Sequence, residues 1–121
     1  MNIHEKLVFV LTQACVAGGR IFPHIAPNSV CLPYVTYFRV SEVPDNILDG
    51  EPTTFESRFQ FDCFGRSLSE VLEVAESVSQ AFADPECGLR FFLNISQDLH
   101  EPETNEYRVM MDYSLWHAKE L

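Results

Sequence analysis

Basic residues are scarce in this chain. Eight Lys and Arg stand against 18 Asp and Glu in 121 residues, for a net charge of −10 and a pI near 4.6. A sequence-reading nucleic-acid binder needs a basic footprint to hold phosphates, so the charge argues against that function class. Adhesion to an anionic membrane fails for the same reason. Long hydrophobic runs are missing too. Leu7-Val8-Phe9-Val10-Leu11 is too short to span a bilayer, and Met1 to Lys6 lacks the strongly positive region of a signal peptide. The cytoplasm is therefore the default expectation.

Catalytic motifs are also wanting. His4, His24, His100 and His117 are scattered, with no H-E-x-x-H pattern to seat zinc. Gly18-Gly19-Arg20 lacks the spacing of a phosphate loop, and no G-x-S-x-G elbow surrounds Ser67. Cys15, Cys31, Cys63 and Cys87 form no C-x-x-C pair, so they read as free structural thiols. Glu56, Asp62 and Asp112 fall on the outward positions of strands, where solvation accounts for them. The expectation is a protein with no catalytic residue, no cofactor and no metal.

What is present is a packing unit. From Phe55 the apolar side reads Phe55, Ser57, Phe59, Phe61, Cys63, with Glu56, Arg58, Gln60 and Asp62 opposite, which is a strand with one buried face. Gly65-Arg66 breaks it. Ser67 and Glu70 then form a capping-box pattern, opening a helix with Leu68, Val71, Leu72, Ala75, Val78 and Phe82 on one stripe. Residues 2 to 17 read as a first helix, capped by Asn2, striped by Ile3, Leu7, Val10, Leu11 and Ala14, and ended by Gly18-Gly19. Residues 20 to 33, with Pro23, Pro27 and Pro33, read as an irregular connector. Tyr34 to Ser41 reads as a strand rich in aromatic and β-branched residues. Leu89 to Leu99 and Tyr107 to His117 read as a hairpin, with Leu89, Phe91, Leu93 and Ile95 alternating on one strand.

The predicted order is α-β-β-α-β-β in a single α+β domain over 1–121. Two helices cover one face of a four-stranded, mainly antiparallel sheet. At this length the domain buries roughly two thirds of its unfolded surface, and 46% hydrophobic residues argue against disorder of the whole chain. Two hairpins joined by a helix leave exposed strand edges. Trp116 either covers the open sheet face or docks against a neighbouring subunit.

Two stretches concentrate acid without base. One holds Glu42, Asp45, Asp49, Glu51 and Glu56, and the other holds Asp98, Glu101, Glu103 and Glu106. These are either solvated hairpin loops or contact loops that line a lumen or grip a partner.

Taken in order, Gly19-Arg20-Ile21-Phe22-Pro23, Leu32-Pro33-Tyr34-Val35, the run from Arg58 to Ser67 into an acidic helix, and the closing strand from Tyr107 to Trp116 carry a family likeness. The chain resembles the tail-completion, or tail-terminator, proteins of long-tailed bacteriophages and prophage-like particles. The resemblance covers nearly the whole chain, through fold signatures and not through a catalytic fingerprint. It implies a non-enzymatic virion protein of the tail and neck, made in the bacterial host cytoplasm. It further implies a ring, commonly of about six copies, that caps the tail tube protein and meets the head connector or head-completion protein. Double-stranded DNA would pass through the ring without specific binding, and no membrane is involved. An acidic lining suits that passage, because it repels phosphates. The other reading from the residues is a small α+β binding or regulatory module acting as a dimer, and a head-completion connector protein is a near neighbour.

Overall fold

The computed structural model describes residues 2–44, 54–104 and 106–118. Asn2 opens helix α1 (Ile3–Gln13) as the sequence leads one to expect. Its Oδ1 accepts the Glu5 amide at 2.8 Å and its side-chain amide donates to Glu5 Oε1 at 2.8 Å. Ile3, Leu7 and Leu11 are buried, whereas Val10 is only half-buried and Ala14 is exposed. The helix stops at Gln13 and not at Ala17. Cys15, Ala17 and Gly18 adopt left-handed backbone (φ 57°, 50° and 63°) in a short 3₁₀ turn, Val16–Gly19. That turn drives Val16 and Ala17 into the core, so burial overrides the helix-forming tendency of the segment.

The connector between Gly19 and Tyr34 contains a strand that the sequence reading does not include. β1 (Ile21–Pro23) runs parallel to β2 (Tyr34–Pro44), with Ile21 opposite Val35 and Pro23 opposite Tyr37. The Val35 amide donates to the Arg20 carbonyl at 2.9 Å and Arg20 Nε donates to the Pro33 carbonyl at 2.8 Å. Three residues ending in proline show no period of their own; pairing with β2 makes them a strand. The sheet is therefore five-stranded and mixed, not four-stranded and mainly antiparallel.

β3 (Thr54–Gly65) pairs antiparallel with β2. Then come α2 (Leu68–Ala83), a 3₁₀ turn at Pro85–Cys87, β4 (Arg90–Glu101) and β5 (Glu106–Ala118). The sheet order is β1-β2-β3-β5-β4, with every pair after the first antiparallel. Ser57, Phe59, Phe61 and Cys63 stand opposite Leu115, Tyr113, Met111 and Val109 on one face. All eight are buried, with α1 and α2 packed over them in one core. Burial, with the Asp62 charge second, pushes the Cys63 thiol up to about 12.

Helix α2 begins where its cap predicts. Ser67 Oγ accepts the Glu70 amide at 3.1 Å, and the Glu70 carboxylate reaches past Ser67 to the Arg66 amide (2.9 Å) and guanidinium (2.9 Å). Those Arg66 hydrogen bonds hold the Glu70 carboxyl below its ordinary range. The buried stripe is rotated from the expected one. Val74 and Ala81 join Val71, Ala75, Val78 and Phe82 inside, while Leu68 and Leu72 face out. The second correction lies in β4, where Leu93 pairs with Tyr113 but Ile95 pairs with Asp112. Asn94 is a bulge, and one extra residue sends Ile95 to the opposite face from Leu93.

Candidate assembly surfaces

The sheet register sets the two acidic regions apart. β2 and β3 approach their hairpin end at Pro44 and Phe55, level with His117. β4 and β5 turn at Glu101 and Glu106, beside the Gly65 end of β3. The two hairpins therefore emerge at opposite ends of the subunit. Glu42 lies near the first end, 3.1 Å from Arg39 Nη1. Asp45, Asp49 and Glu51 lie outside the described residues. At the second end Glu101 and Glu106 are direct cross-strand partners and Glu103 sits in the exposed turn between them. Like charges placed directly opposite repel, so this tip is kept acidic at some cost to the hairpin. The Glu106 charge also acts, after burial, to raise the Tyr34 hydroxyl.

One cluster has the composition of a hydrolytic triad. Ser57 Oγ and His117 Nε2 share a 2.7 Å hydrogen bond, and Glu42 Oε1 lies 3.5 Å from the same Nε2. A triad needs its acid on the other ring nitrogen and its hydroxyl open to substrate. Here Glu42 and Ser57 meet the same nitrogen and Ser57 is fully buried, so its hydroxyl is closed to substrate and the cluster fastens the strand ends together. Among the described residues no group of His, Cys, Asp or Glu is placed to hold a metal ion.

The sheet face opposite the helices carries polar side chains in an ordered lattice. Arg58 binds Asp112 through Nη2 (2.6 Å) and Nε (3.3 Å), and the Asn94 amide bridges Asp112 (3.0 Å) and Ser114 (2.8 Å). The hydrogen bonds that Arg58 donates to Asp112, then the Asp112 charge, raise the Arg58 guanidinium. Arg108 lies 3.3 Å from Asp62 and over the Phe64 ring at 5.8 Å. The Asn94 bulge is what brings its amide into this lattice.

Toward β4 the same face turns apolar. Trp116 (42% exposed) and Phe92 (61%) stand in solvent around Arg90, and Ile95 (51%) is exposed further along β4. The Trp116 side chain is thus on the face left open by both helices. Sequence reasoning singled out Trp116 but missed Phe92 and Ile95. Their signal is the run Leu89 to Ile95, in which both faces of a strand are apolar at once.

The comparisons with known proteins bear on the whole chain. The family model described as Tail completion protein gp17 matches residues 7–118. A chain of the virion of native gene transfer agent (GTA) particle superposes with a TM-score of 0.71, covering 97% of this chain and 95% of that one at 13% sequence identity. At that identity the likeness concerns the fold. No curated protein matches the chain.

Proposed function

The chain belongs to the tail completion protein gp17 family, which makes it a structural protein of a phage-type virion tail, and from that premise we propose that it closes the tail tube as a ring and joins it to the head. The observation that carries this reading is the separation of the two hairpins to opposite ends of one rigid sheet. A subunit standing between two other proteins needs a contact element at each pole, and hairpins at opposite ends of the sheet would supply them. Glu42 stands near one pole and Glu101, Glu103 and Glu106 at the other, and Asp45, Asp49 and Glu51 are the further candidate contact residues that follow Glu42 in sequence. DNA passes through the ring without being held, because a chain of net charge −10 repels phosphates instead of displacing their counterions.

Deleting the gene and imaging the particles tests the role. Tails of unregulated length, or tails detached from DNA-filled heads, are the expected result. Full-length tails still joined to heads would overturn it.

The acidic pole has its own prediction. Changing Glu101, Glu103 and Glu106 to Lys adds two charges at each position and moves the net charge from −10 to about −4. The ring should then retain DNA, with an affinity whose log–log salt slope steepens by about 0.9 for each phosphate contacted. The folded monomer should be no less stable, since the Glu101–Glu106 repulsion is merely exchanged for another like-charge pair. DNA passage and DNA affinity identical to wild type would remove this loop from the lumen. The same outcome for Asp45, Asp49 and Glu51 would remove the other.

A further inference from the structure

Two lengths of strand edge lack a partner within the described residues, and they lie on opposite flanks of the sheet at the same height. β1 covers only Val35–Tyr37 of its neighbour, and the His24 amide adds one bond to the Tyr37 carbonyl at 2.8 Å. Beyond Tyr37 the outer edge of β2 is open as far as Pro44. On the far flank β4 is the last strand, and its outer edge is open throughout.

Register carries these heights across the sheet. Val43 shares a row with Glu56, Trp116 and Arg90, Ser41 with Arg58, Ser114 and Phe92, and Phe38 with Gln60, Asp112 and Ile95. The open stretch of β2 is thus level with Arg90–Ile95 of β4. Those β4 residues hold the exposed Phe92, Leu93 and Ile95. Where β1 closes the opposite edge, β4 turns polar, as Ser96, Gln97 and Asp98. One edge is apolar over the length for which the other is free.

Polarity and charge agree with this match. β2, β3, β5 and β4 alternate in direction, so a second copy set alongside with the same face forward presents its β2 antiparallel to β4. Arg90 pairs with no acid among the described residues and is the only charge between Arg90 and Ile95. The corner it would meet carries Val43 and Glu56 in its own row, with Glu42 beside them.

We propose that residues 90–95 of β4 in one copy pair antiparallel with residues 38–43 of β2 in the next, so that the sheet runs from subunit to subunit around the ring. The inference rests on the ring reading of the preceding subsection. The contact is head-to-tail, uses a different edge for each neighbour, and repeats until the rotation closes. It also covers two edges that would otherwise template aggregation. The register breaks at Val40 and Asn94 fall within the mating stretches, where bulges supply the bend that closure requires.

A disulfide across the junction tests it. Ser41→Cys with Phe92→Cys, in a background carrying Cys15→Ser and Cys31→Ser, places two thiols three strand spacings apart in one copy, about 14 Å. That is beyond the reach of a disulfide, roughly 7 Å between Cα atoms, so any bond between these two thiols joins two copies. Oxidised particles should give a non-reducing ladder ending in a closed species, and either single cysteine should give none. Single-chain bands from particles whose tail ends show a ring would overturn edge pairing and leave the ring standing. Unmodified particles with no ring at the tail end would sink the ring reading itself. A ladder that stops at two copies would mean a self-paired edge, which also refutes the proposal. Leu93→Lys gives an independent check on a folded chain. Monomers with an unchanged thermal midpoint and at least about tenfold weaker assembly are expected, and wild-type assembly would overturn it.

Discussion

Replacing Phe61 by Ala should destabilise the folded chain by about 3–5 kcal/mol, whereas Phe92→Ala should change it by less than about 0.5 kcal/mol. The two phenylalanines are equal in size and both stand on strands, so composition alone predicts equal effects. Their surroundings differ. Phe61 is fully buried, with the rings of Phe82, Tyr113, Phe59 and Tyr37 at 5.1, 5.9, 6.3 and 6.4 Å between centroids. Truncation removes its transfer energy, leaves a cavity among rings that cannot all collapse inward, and forfeits edge-to-face contacts. Phe92 is 61% exposed on the uncovered face, so its loss returns little surface to water. Urea unfolding reads the difference as a fall in midpoint of one to a few molar for Phe61→Ala, given slopes of about 1–3 kcal/mol per molar. Phe61→Leu should recover most of the loss, because it keeps volume. A Phe92→Ala variant that proved the more damaging would mean the two sheet faces are assigned the wrong way round.

The contrast also marks where local sequence carries enough information. Phe55 to Phe82 declares its face, its break and its helix start, because one-sided burial imposes period two and then about 3.6 on the side chains. The structure reproduces that order, with Phe59 and Phe61 inside and Ser67 at the helix start. Period fails wherever a distant partner sets the conformation. Ile21–Pro23 is a strand only because Val35–Tyr37 lies beside it. Ile95 reverses face through a one-residue bulge that alternation cannot register. Leu68 and Leu72 fit the helical stripe, yet Val74 and Ala81 take the buried positions, since the helix is turned by what it meets on the sheet.

Candidate contact residues were legible as chemistry more than as place. Acid without base at Glu101, Glu103 and Glu106 is visible in the sequence; that this tip lies opposite the other hairpin follows from element order if the second helix runs back along the sheet, and the register agrees. The surfaces that matter for the proposed ring are defined by what no described residue covers, namely one sheet face and two strand edges. A sequence lists the residues on an edge but not which strand stops short of covering them.

Gly65 is where the two legible elements touch, and it should be the least replaceable residue outside the aromatic core. It closes β3 opposite Tyr107, and a Cβ built there would lie 2.9 Å from the Val71 amide nitrogen, 3.1 Å from Val71 Cβ and 3.2 Å from Val71 Cα. The obstacle is largely the backbone of the first helical turn, which has no rotamer by which to move aside. In an ordinary strand position Gly→Ala would gain roughly 0.5–1 kcal/mol by reducing the freedom of the unfolded chain. Here the overlap outweighs that gain, and we expect Gly65→Ala to cost about 1–3 kcal/mol, with Gly65→Val costing more. Relief comes only by lifting α2 at the end fixed by the Ser67 cap and the Glu70–Arg66 bonds. The far end of α2 would follow, loosening Phe82 from Phe91, whose rings stack at 3.9 Å, and with it the seat of the open β4 edge. Denaturant unfolding should therefore show the stability loss, amide exchange should quicken first in residues 68–71, and assembly should fall in the same variant. Neutral stability in Gly65→Ala would show that the helix stands further from the strand than 2.9 Å implies, and would remove this route from core packing to ring contact.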